Sequence, residues 1–338
     1  MIISFLIISN YYLIIVRKST ACFKMEKGKV LFIDTTHPKL PSMLEEAGFT
    51  VVHFYQKNSN ELKNIASQFV GFIIRSKFKM DEDILQYASK LKFIGRVGAG
   101  MENIDTEYTD KKGIVCFNAP EGNRDAVGEQ AIAMLLALFN NLLKADAEVR
   151  KGVWKREENR GIELGGKTIG IIGYGNTGGA FARKLSGFNV NVLAYDKYKS
   201  GFSDKYVKEA ELKEIINEAD IISFHVPLTD ETLFMANESF FNSFRKEVYV
   251  INTSRGKVLN TNDLLKSLES EKVKGACLDV LEYEGLSFEN LNSKDLPDGF
   301  VKLVNRRDVI LSPHIAGWTH ESNIKLSEVL ARKIISKF

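Results

Sequence analysis

Three polar residues of the sequence could together take a proton and a hydride from an alcohol. Arg255, Glu284 and His314 each come shortly after an apolar run that is typical of a buried strand. A histidine can accept the hydroxyl proton, a neighbouring carboxylate orients the imidazole ring and favours its protonated form, and an arginine can bind a carboxylate through two hydrogen bonds. The set would suit oxidation of a hydroxyl group next to a carboxylate, with the hydride passing to a nicotinamide.

The choice of the carboxylate is open at this point, because Glu282 lies two residues before Glu284. Each residue taken singly is also compatible with a structural role: Arg255 with a surface ion pair or a helix cap, and His314 with a turn after Pro313. Their shared position argues for more, since the carboxyl ends of parallel strands meet at the edge of a doubly wound sheet where ligands bind. We therefore expect the three side chains to converge on one crevice.

A glycine-rich turn in mid-chain indicates the second reactant. Residues 170–178 read Gly-Ile-Ile-Gly-Tyr-Gly-Asn-Thr-Gly between an apolar run and a segment with helical spacing, and a further apolar run ends in Asp196. This is the dinucleotide-binding fingerprint in its full context. Gly173 permits the tight turn, Gly175 lets the backbone approach a pyrophosphate at the helix N-terminus, and Gly178 lets helix and strand pack closely. Asp196 would bind the adenosine ribose, which favours NAD over NADP.

Apolar runs recur along the chain and alternate with helical or turn segments. This alternation predicts an α/β fold with parallel sheets and crossover helices. The predicted strands are Val30–Ile33, Val51–Phe54, Gly71–Ile74, Phe93–Ile94, Ile114–Phe117, Thr168–Ile172, Asn191–Tyr195, Ile221–Phe224, Val248–Ile251, Ala276–Val280 and Val309–Leu311. A long helix is predicted over Ala126–Val149, and it is too apolar for a solvated surface helix, so either the core or a partner subunit should cover it.

Composition excludes several other classes of protein. The 338 residues have a net charge of +3, 44% hydrophobic content and no basic tail, which is ordinary for a globular protein without a nucleic-acid partner. Three scattered cysteines and five histidines have no metal-ligand spacing, so no metal site is expected, and a cytoplasmic location fits. Residues 1–24 are largely apolar and are expected to lie upstream of the real start at Met25; a membrane anchor is the alternative.

Taken together, these motifs resemble the NAD-dependent D-2-hydroxyacid dehydrogenases over about residues 70–320. The matching segments occur in the same order along the chain. They are Ile73–Ser76, Ile94–Gly100 with Asn103–Asp105, Asn118–Asn123, the fingerprint, His225–Pro227, Asn252–Gly256, Leu278–Val280 and Pro313–Gly317. The resemblance implies two Rossmann-like doubly wound domains with the active site in the cleft between them. The expected substrate domain is 25–121 plus 315–338, and the expected NAD-binding domain is 122–314.

The resemblance also implies a role for particular residues. Arg255, Glu284 and His314 occupy the family's catalytic positions, and Glu284 is favoured over Glu282 because the family's glutamate lies five residues past the aspartate at the strand end. The cofactor-binding residues would be Gly173, Gly175, Asn176, Thr177, Gly178, Asp196, Val226, Pro227, Thr253, Ser254, Asp279 (for the nicotinamide carboxamide) and Gly317. The substrate-binding residues would be Gly98, Ala99 and Gly100, as a cradle for the carboxylate, and Arg75, Arg96 and Arg156, around a phosphate.

The resemblance extends to members of the family that oxidise 3-phosphoglycerate to 3-phosphohydroxypyruvate in serine synthesis, so it implies this activity. The same chemistry on glyoxylate, hydroxypyruvate or 4-phosphoerythronate is the alternative, and a non-catalytic NAD-sensing protein is an alternative of another class. Three positions depart from the family pattern: Gly285 replaces a proline, Trp318 a small residue and Phe78 a threonine. A C-terminal regulatory domain is not expected, nor is serine feedback through it. A homodimer through the apolar helix is expected.

Overall fold

The computed structural model describes residues 26–285 and 296–338. The expectation for residues 1–24 lies outside this part of the chain. Two sheets, both entirely parallel, form the α/β framework, as the alternation of apolar runs predicts. All eleven predicted strands are present, with ends shifted by a few residues, and the α/β fold class is confirmed.

The first sheet has five strands in the order β2-β1-β3-β4-β5. Its strands are β1 (Gly28–Phe32), β2 (Phe49–His53), β3 (Gly71–Ile74), β4 (Phe93–Arg96) and β5 (Val115–Phe117), and its helices are α1 (Lys39–Glu46), α2 (Ser59–Ile65), α3 (Glu82–Leu85) and α4 (Thr106–Lys111). All four residues of β3 are buried, because helices cover both faces of a parallel sheet. Local signals place the helices: Asn58 and Glu61 form a capping box at the start of α2.

Two helices follow the first sheet and lead to the second. They are α5 (Pro120–Phe139) and α6 (Leu142–Val149), and the chain bends by 60° between them. The prediction of one helix over Ala126–Val149 is therefore wrong: Asn141 adopts a left-handed conformation, with φ of 50°, and starts a new helix. No single helix of the described residues is long and apolar enough to cross a membrane, whereas the bent pair α5–α6 satisfies that test by length and composition.

The second sheet has seven strands in the order β12-β11-β10-β9-β6-β7-β8. Its strands are β6 (Thr168–Ile172), β7 (Asn191–Tyr195), β8 (Lys208–Glu209), β9 (Ile221–Phe224), β10 (Val248–Asn252), β11 (Val273–Leu278) and β12 (Val309–Leu311), and its helices are α7 (Asn176–Lys184), α8 (Leu212–Glu218), α9 (Glu238–Ser243), α10 (Thr261–Glu269) and α11 (Asp298–Val304). The two-residue strand β8 was not predicted, because it has no apolar periodicity. The reversal of strand order lies between β6 and β9, where dinucleotides bind in such sheets.

The last helix, α12 (His320–Lys337), returns to the first sheet. Leu326, Leu330 and Ile334 pack in one core cluster with Val30 and Phe93. Helix α12 also packs against α5, and α5 packs against α7, so helices connect the two sheets. Most of the apolar surface of α5 is covered in this way within one chain, and the residues of α5 that are buried are Gly122, Ala126, Val127, Gly128, Ala131, Ile132, Met134, Leu135 and Phe139.

Candidate active site

A cleft of about 360 Å³ lies where the carboxyl ends of the two sheets face each other. Parallel strands bring their carboxyl ends to one edge, so residues far apart in sequence meet there. Eleven of the predicted site residues line this cleft: Arg75, Arg96, Gly98, Ala99, Gly100, Thr177, Thr253, Arg255, Asp279, His314 and Gly317. The cleft is thus the common location of the histidine, the arginine and the glycine loop.

The imidazole of His314 is paired with Glu284. His314 Nδ1 lies 2.8 Å from Glu284 Oε2, and because a carboxylate only accepts, Nδ1 carries the proton. The other oxygen, Glu284 Oε1, accepts the backbone N–H of Leu281 at 2.5 Å, which anchors the carboxylate. Glu282 is turned elsewhere and accepts the backbone N–H of Thr261 at 2.9 Å. The geometry therefore pairs Glu284, and not Glu282, with the histidine.

Asp279 organises the loop that carries His314. Its carboxylate is fully buried and accepts the backbone N–H groups of Ile315 and Ala316, both at 2.9 Å, and the hydroxyl of Ser312 at 2.6 Å. Its backbone carbonyl accepts the N–H of His314 at 2.7 Å. His314 itself has φ of 55°, a left-handed conformation that a non-glycine residue adopts only when its surroundings impose it. Asp279 supplies that constraint.

Arg255 follows β10 in a turn that is organised by the buried side chain of Asn252. Asn252 Oδ1 accepts from the backbone N–H and the hydroxyl of Ser254, at 3.1 and 2.8 Å, and Asn252 Nδ2 donates to the carbonyl of Arg255 at 2.9 Å. The guanidinium then donates through Nη1 to the carbonyl of Ser254 at 2.7 Å and through Nε to Glu102 Oε1 at 2.5 Å. Glu102 belongs to the first sheet's part of the chain, so this ion pair crosses the cleft.

The glycine loop after β4 is shaped around these charges. A Cβ atom on Gly100 would overlap both Arg255 Nη2 and Glu102 Oε2. The N–H of Gly98 donates to the carbonyl of Arg96 at 2.9 Å, whereas no described residue accepts from the N–H groups of Ala99 and Gly100. These two groups are therefore the part of the predicted cradle that remains for a bound carboxylate.

The charges in the cleft perturb one another. Burial, opposed by Glu102 and reinforced by Arg255 and Arg75, lowers the pKa of Arg96 to about 10. Burial by itself would raise the pKa of Glu102, but the charge and hydrogen bond of Arg255, with smaller contributions that include Arg96, lower it overall. Burial also lowers the pKa of Arg75, against the opposing charge of Asp34. A concentration of desolvated guanidinium groups of this kind favours binding of an anion.

The fingerprint turn fits a dinucleotide. Gly173 has φ of 95°, and a Cβ atom on Gly178 would overlap the carbonyl oxygen of Gly173, so both positions require glycine. Helix α7 begins after Gly175 without a side-chain cap, and a Cβ atom on Gly175 would have no atom within 4 Å, which leaves the first N–H groups accessible. The buried hydroxyl of Thr253 has no hydrogen-bond partner within the described residues and is available to a ligand. The residues present therefore fit NAD.

The end of β7 carries the acidic residue of the fingerprint. Asp196 accepts the backbone N–H groups of Tyr174 at 2.8 Å and Tyr198 at 3.0 Å, which holds its carboxylate beside the glycine turn. Lys197 is paired with Glu231 at 2.6 Å, so its charge is already compensated. The ammonium group of Lys199 donates to the carbonyl of Tyr174 at 3.2 Å, so the turn carries one acid and one base whose charge no carboxylate of the described residues compensates.

His225, which belongs to the segment His225–Pro227 after β9, is a buried histidine whose two ring nitrogens both lie near hydroxyl groups of the protein. Its Nε2 lies 2.8 Å from the hydroxyl of Ser223, and its Nδ1 lies 3.3 Å from the hydroxyl of Thr177. Burial lowers the pKa of His225 to about 3. The imidazole is therefore neutral at physiological pH and links β9 to the start of α7.

The other predicted residues differ in their distance from the cleft. Val226 lies against Gly173, and Ser254 is buried in the turn before Arg255. Arg156 does not converge with the rest: it is exposed and is not among the residues that line the cleft. The remaining predicted residues, which are Gly175, Asn176, Gly178, Asp196, Pro227 and Glu284, are not among the residues that line the cleft.

Sequence reasoning overlooked three residues at this site. Asp34, which follows β1, lines the cleft and accepts the backbone N–H of Arg75 at 2.6 Å; the rule that strand ends carry functional residues could have identified it. For Glu102, the only sequence feature that could have indicated a role at the site is its position two residues after Gly100. Trp318 was noted as a departure from the family pattern but not as a site residue, and it lines the cleft beside Arg75.

Comparison with known proteins shows the family of this chain. Residues 132–316 match the model of the D-isomer specific 2-hydroxyacid dehydrogenase NAD-binding domain. The chain is 36% identical over 267 residues to a glyoxylate reductase of Thermococcus litoralis, which covers 76% of this chain and 77% of that enzyme. It is 32% identical over 310 residues to a D-3-phosphoglycerate dehydrogenase of Archaeoglobus fulgidus, covering 91% of this chain. The chain spans 57% of the length of that second relative.

Comparison with a solved structure supports the same family assignment. The D-lactate dehydrogenase of Aquifex aeolicus, complexed with NAD and lactic acid, superposes with a TM-score of 0.76 at 29% identity and covers 90% of this chain and 94% of that one. The chain therefore belongs to the D-isomer specific 2-hydroxyacid dehydrogenase family, and its second sheet is the family's Rossmann-type NAD-binding domain. NAD is the cofactor of this domain.

Proposed function

We propose that this protein is a dehydrogenase that interconverts a D-2-hydroxyacid and its 2-oxoacid. The observation that carries the proposal is the convergence of the His314–Glu284 pair and Arg255 on one cleft beside the fingerprint turn. NAD supplies the hydride acceptor when it is bound. The family that the comparisons show has the same chemistry in its name.

The side chains of the site divide the remaining work. The hydroxyl proton of the substrate passes to Nε2 of His314, because Nδ1 is engaged by Glu284, which stabilises the imidazolium that forms. Arg255 binds the substrate carboxylate, together with the N–H groups of Ala99 and Gly100, and polarises the adjacent C–O bond. Glu102 accepts a hydrogen bond from Nε of Arg255 and thereby holds the guanidinium in one orientation for binding the substrate.

For the substrate we propose 3-phosphoglycerate, oxidised to 3-phosphohydroxypyruvate in cytoplasmic serine biosynthesis. The similarity to the Archaeoglobus fulgidus enzyme and the presence of Arg75 and Arg96 at the cleft support this choice. Reduction of glyoxylate is the second candidate, and the Thermococcus litoralis enzyme favours it because that similarity extends over 77% of that enzyme. Arg156 gives the phosphate no support, since it is outside the cleft.

A substrate panel tests the proposal. Purified protein is assayed with NAD and NADP against 3-phosphoglycerate, D-glycerate and D-lactate, and with NADH and NADPH against glyoxylate and hydroxypyruvate. We expect turnover with NAD, highest for 3-phosphoglycerate, and a large loss of turnover in Glu284→Gln. Glu282→Gln is the matched control, because it removes a carboxylate two residues away that contacts Thr261 instead of His314. Absence of turnover with every acid would favour the non-catalytic NAD-sensing alternative.

The same proposal includes the organisation of the protein. We propose a substrate domain of residues 25–121 plus 315–338 and an NAD-binding domain of residues 122–314. We also propose a homodimer, with α6 at the interface and α5 largely inside the subunit. Leu142, Leu143 and Val149 on α6 are each more than half exposed and form an apolar surface, whereas α5 is largely buried. Light scattering of the wild type and of Leu142→Glu tests this; a wild-type monomer at micromolar concentration would contradict it.

A further inference from the structure

Arg75 and Trp318 form a stacked pair at one end of the cleft. The guanidinium carbon of Arg75 lies 4.3 Å from the centre of the Trp318 ring, a cation–π geometry. The backbone of Arg75 is fixed on both sides, because its N–H donates to Asp34 at 2.6 Å and its carbonyl accepts from Asn103 at 3.0 Å. The N–H of Trp318 donates to the carbonyl of Ile315 at 2.8 Å, so the ring is carried by the same loop as His314.

The donors of Arg75 are not used by the protein. Within residues 26–285 and 296–338, no acceptor is within hydrogen-bonding distance of its guanidinium nitrogens, although burial lowers its pKa. A guanidinium that stacks by its face keeps its in-plane N–H groups for another partner. The guanidinium is partly buried and its N–H groups face the cleft without an acceptor in the described part of the protein, so a negatively charged group on a ligand could accept from them.

The pair also separates two cavities. The cleft of about 360 Å³ and a neighbouring cavity of about 410 Å³ are both lined by Arg75, Gly317, Trp318 and Leu326. The neighbouring cavity continues toward the start of α12. Trp318, which is 67% exposed, therefore lies between the cleft that contains His314 and the neighbouring cavity.

We propose that Trp318 determines substrate specificity by holding Arg75 as an anion-binding outer wall of the cleft. The pair selects acids whose far end carries a negative charge and excludes acids with a bulky apolar end. This inference rests on the proposed function, since it concerns the far end of a substrate whose carboxylate is held by Arg255.

The first experiment compares two substrates in Trp318→Ala and Trp318→Phe. For Trp318→Ala we expect the ratio of kcat/KM for 3-phosphoglycerate to that for D-2-hydroxyisocaproate to fall about two- to thirtyfold, the range for a lost cation–π contact. Most of the decrease in kcat/KM for 3-phosphoglycerate should come from a higher KM. In Trp318→Phe, the ratio of the two kcat/KM values should be close to that of the wild type. An unchanged ratio in Trp318→Ala would overturn the proposal.

A double-mutant cycle separates the pair from a general effect of either residue. Trp318→Ala should have little further effect in the Arg75→Ala background, because Trp318 acts through Arg75. Additive losses would show that Trp318 acts independently and would overturn the proposal. Both residues lie at the surface of the cleft and outside the core clusters, so these variants should fold.

The second experiment does not need turnover, and so distinguishes failure of this inference from failure of the proposed function. Trp154 is the only other tryptophan in the sequence and is 77% exposed, so Trp154→Phe leaves Trp318 as the sole indole reporter. Titration with inorganic phosphate at constant ionic strength should give a saturable change in Trp318 fluorescence, and Arg75→Gln should abolish it. A linear response identical to that of chloride would overturn the proposal even if acids are oxidised.

Discussion

Gly100 should be required for activity and not for folding. Its φ lies outside the left-handed range, so alanine fits the backbone, but the new methyl group would overlap Arg255 Nη2 and Glu102 Oε2. Both atoms belong to ends of flexible side chains, which can move aside. Gly100→Ala should therefore break the 2.5 Å ion pair across the cleft and turn Arg255 away from its orientation.

The size of the effect follows from the bonds that are lost. A hydrogen bond to a charged group contributes about 1.5–3 kcal/mol, so loss of one such bond to the substrate carboxylate in the transition state would lower kcat/KM by about ten- to 150-fold. Stability should change less than activity. Loss of the bond between the two charged side chains, which are 21% and 31% exposed, should cost about 1–3 kcal/mol, and Gly→Ala at a compatible position adds about 0.4–1 kcal/mol. We expect the free energy of unfolding to fall by less than about 3 kcal/mol.

Three measurements on Gly100→Ala check this reasoning: steady-state kinetics with the acid substrate, calorimetric titration with NAD, and urea unfolding. NAD affinity should stay the same, because the fingerprint turn is untouched. Gly187→Ala is the matched control, since a Cβ atom there would have no atom within 4 Å and the residue is exposed on the second sheet's side. A kcat/KM within threefold of the wild type, or an equal loss in Gly187→Ala, would refute the role that we assign to the Glu102–Arg255 pair.

Three further predictions concern the histidines and the cofactor. His314→Ala and His314→Gly should both lose about a hundred- to ten-thousandfold in turnover, but the glycine variant should be about 1 kcal/mol more stable to urea because it relieves the left-handed conformation. The pKa of His225 is about 3 in the folded protein and near 6.5 in the unfolded chain, so only the unfolded chain takes up a proton between these pH values. The free energy of unfolding therefore decreases as pH falls through this range, by at most about 1.4 kcal/mol per pH unit. In urea unfolding between pH 6.5 and 4.5, the free energy of unfolding of His225→Asn should depend less on pH than that of the wild type. The wild type should prefer NAD to NADP by more than about tenfold in kcat/KM, because Asp196 repels a 2′-phosphate and the charge of Lys197 is compensated by Glu231. Asp196→Ser should reduce that preference. Equal kcat/KM values with the two cofactors in the wild type would contradict this prediction.

Much of the fold could be predicted from the sequence, because its signals are local. Buried strands appear as short apolar runs, and the spacing of Gly173 and Gly178 reflects a close contact between these two residues within one strand–turn–helix unit. The break at Asn141 was not predictable from apolar spacing, since both helices have the same composition and only the left-handed residue separates them. Strand β8 was missed because two residues carry no period.

The sequence by itself determined the kinds of residue at the site and the edge on which they would meet. Strand ends in a parallel sheet converge, so Arg255, His314 and one of two glutamates could be assigned to one crevice before any contact was known. The choice between Glu282 and Glu284 needed either the family resemblance or the structure. Both residues lie in a loop, where no periodic pattern of apolar residues indicates which way a side chain points. Only the hydrogen bonds of each carboxylate show where it points.

Only the tertiary structure decided which charges pair across the cleft. Glu102 and Arg255 are 153 residues apart, and nothing in their local sequences relates one to the other. The stacking of Arg75 on Trp318 likewise depends on α12 returning to the first sheet, and the exposure of Arg156 depends on the path of the segment that leads from α6 to β6. Such pairings arise from the docking of one sheet against the other, and that docking is a property of the packed helices between them, which no local pattern encodes.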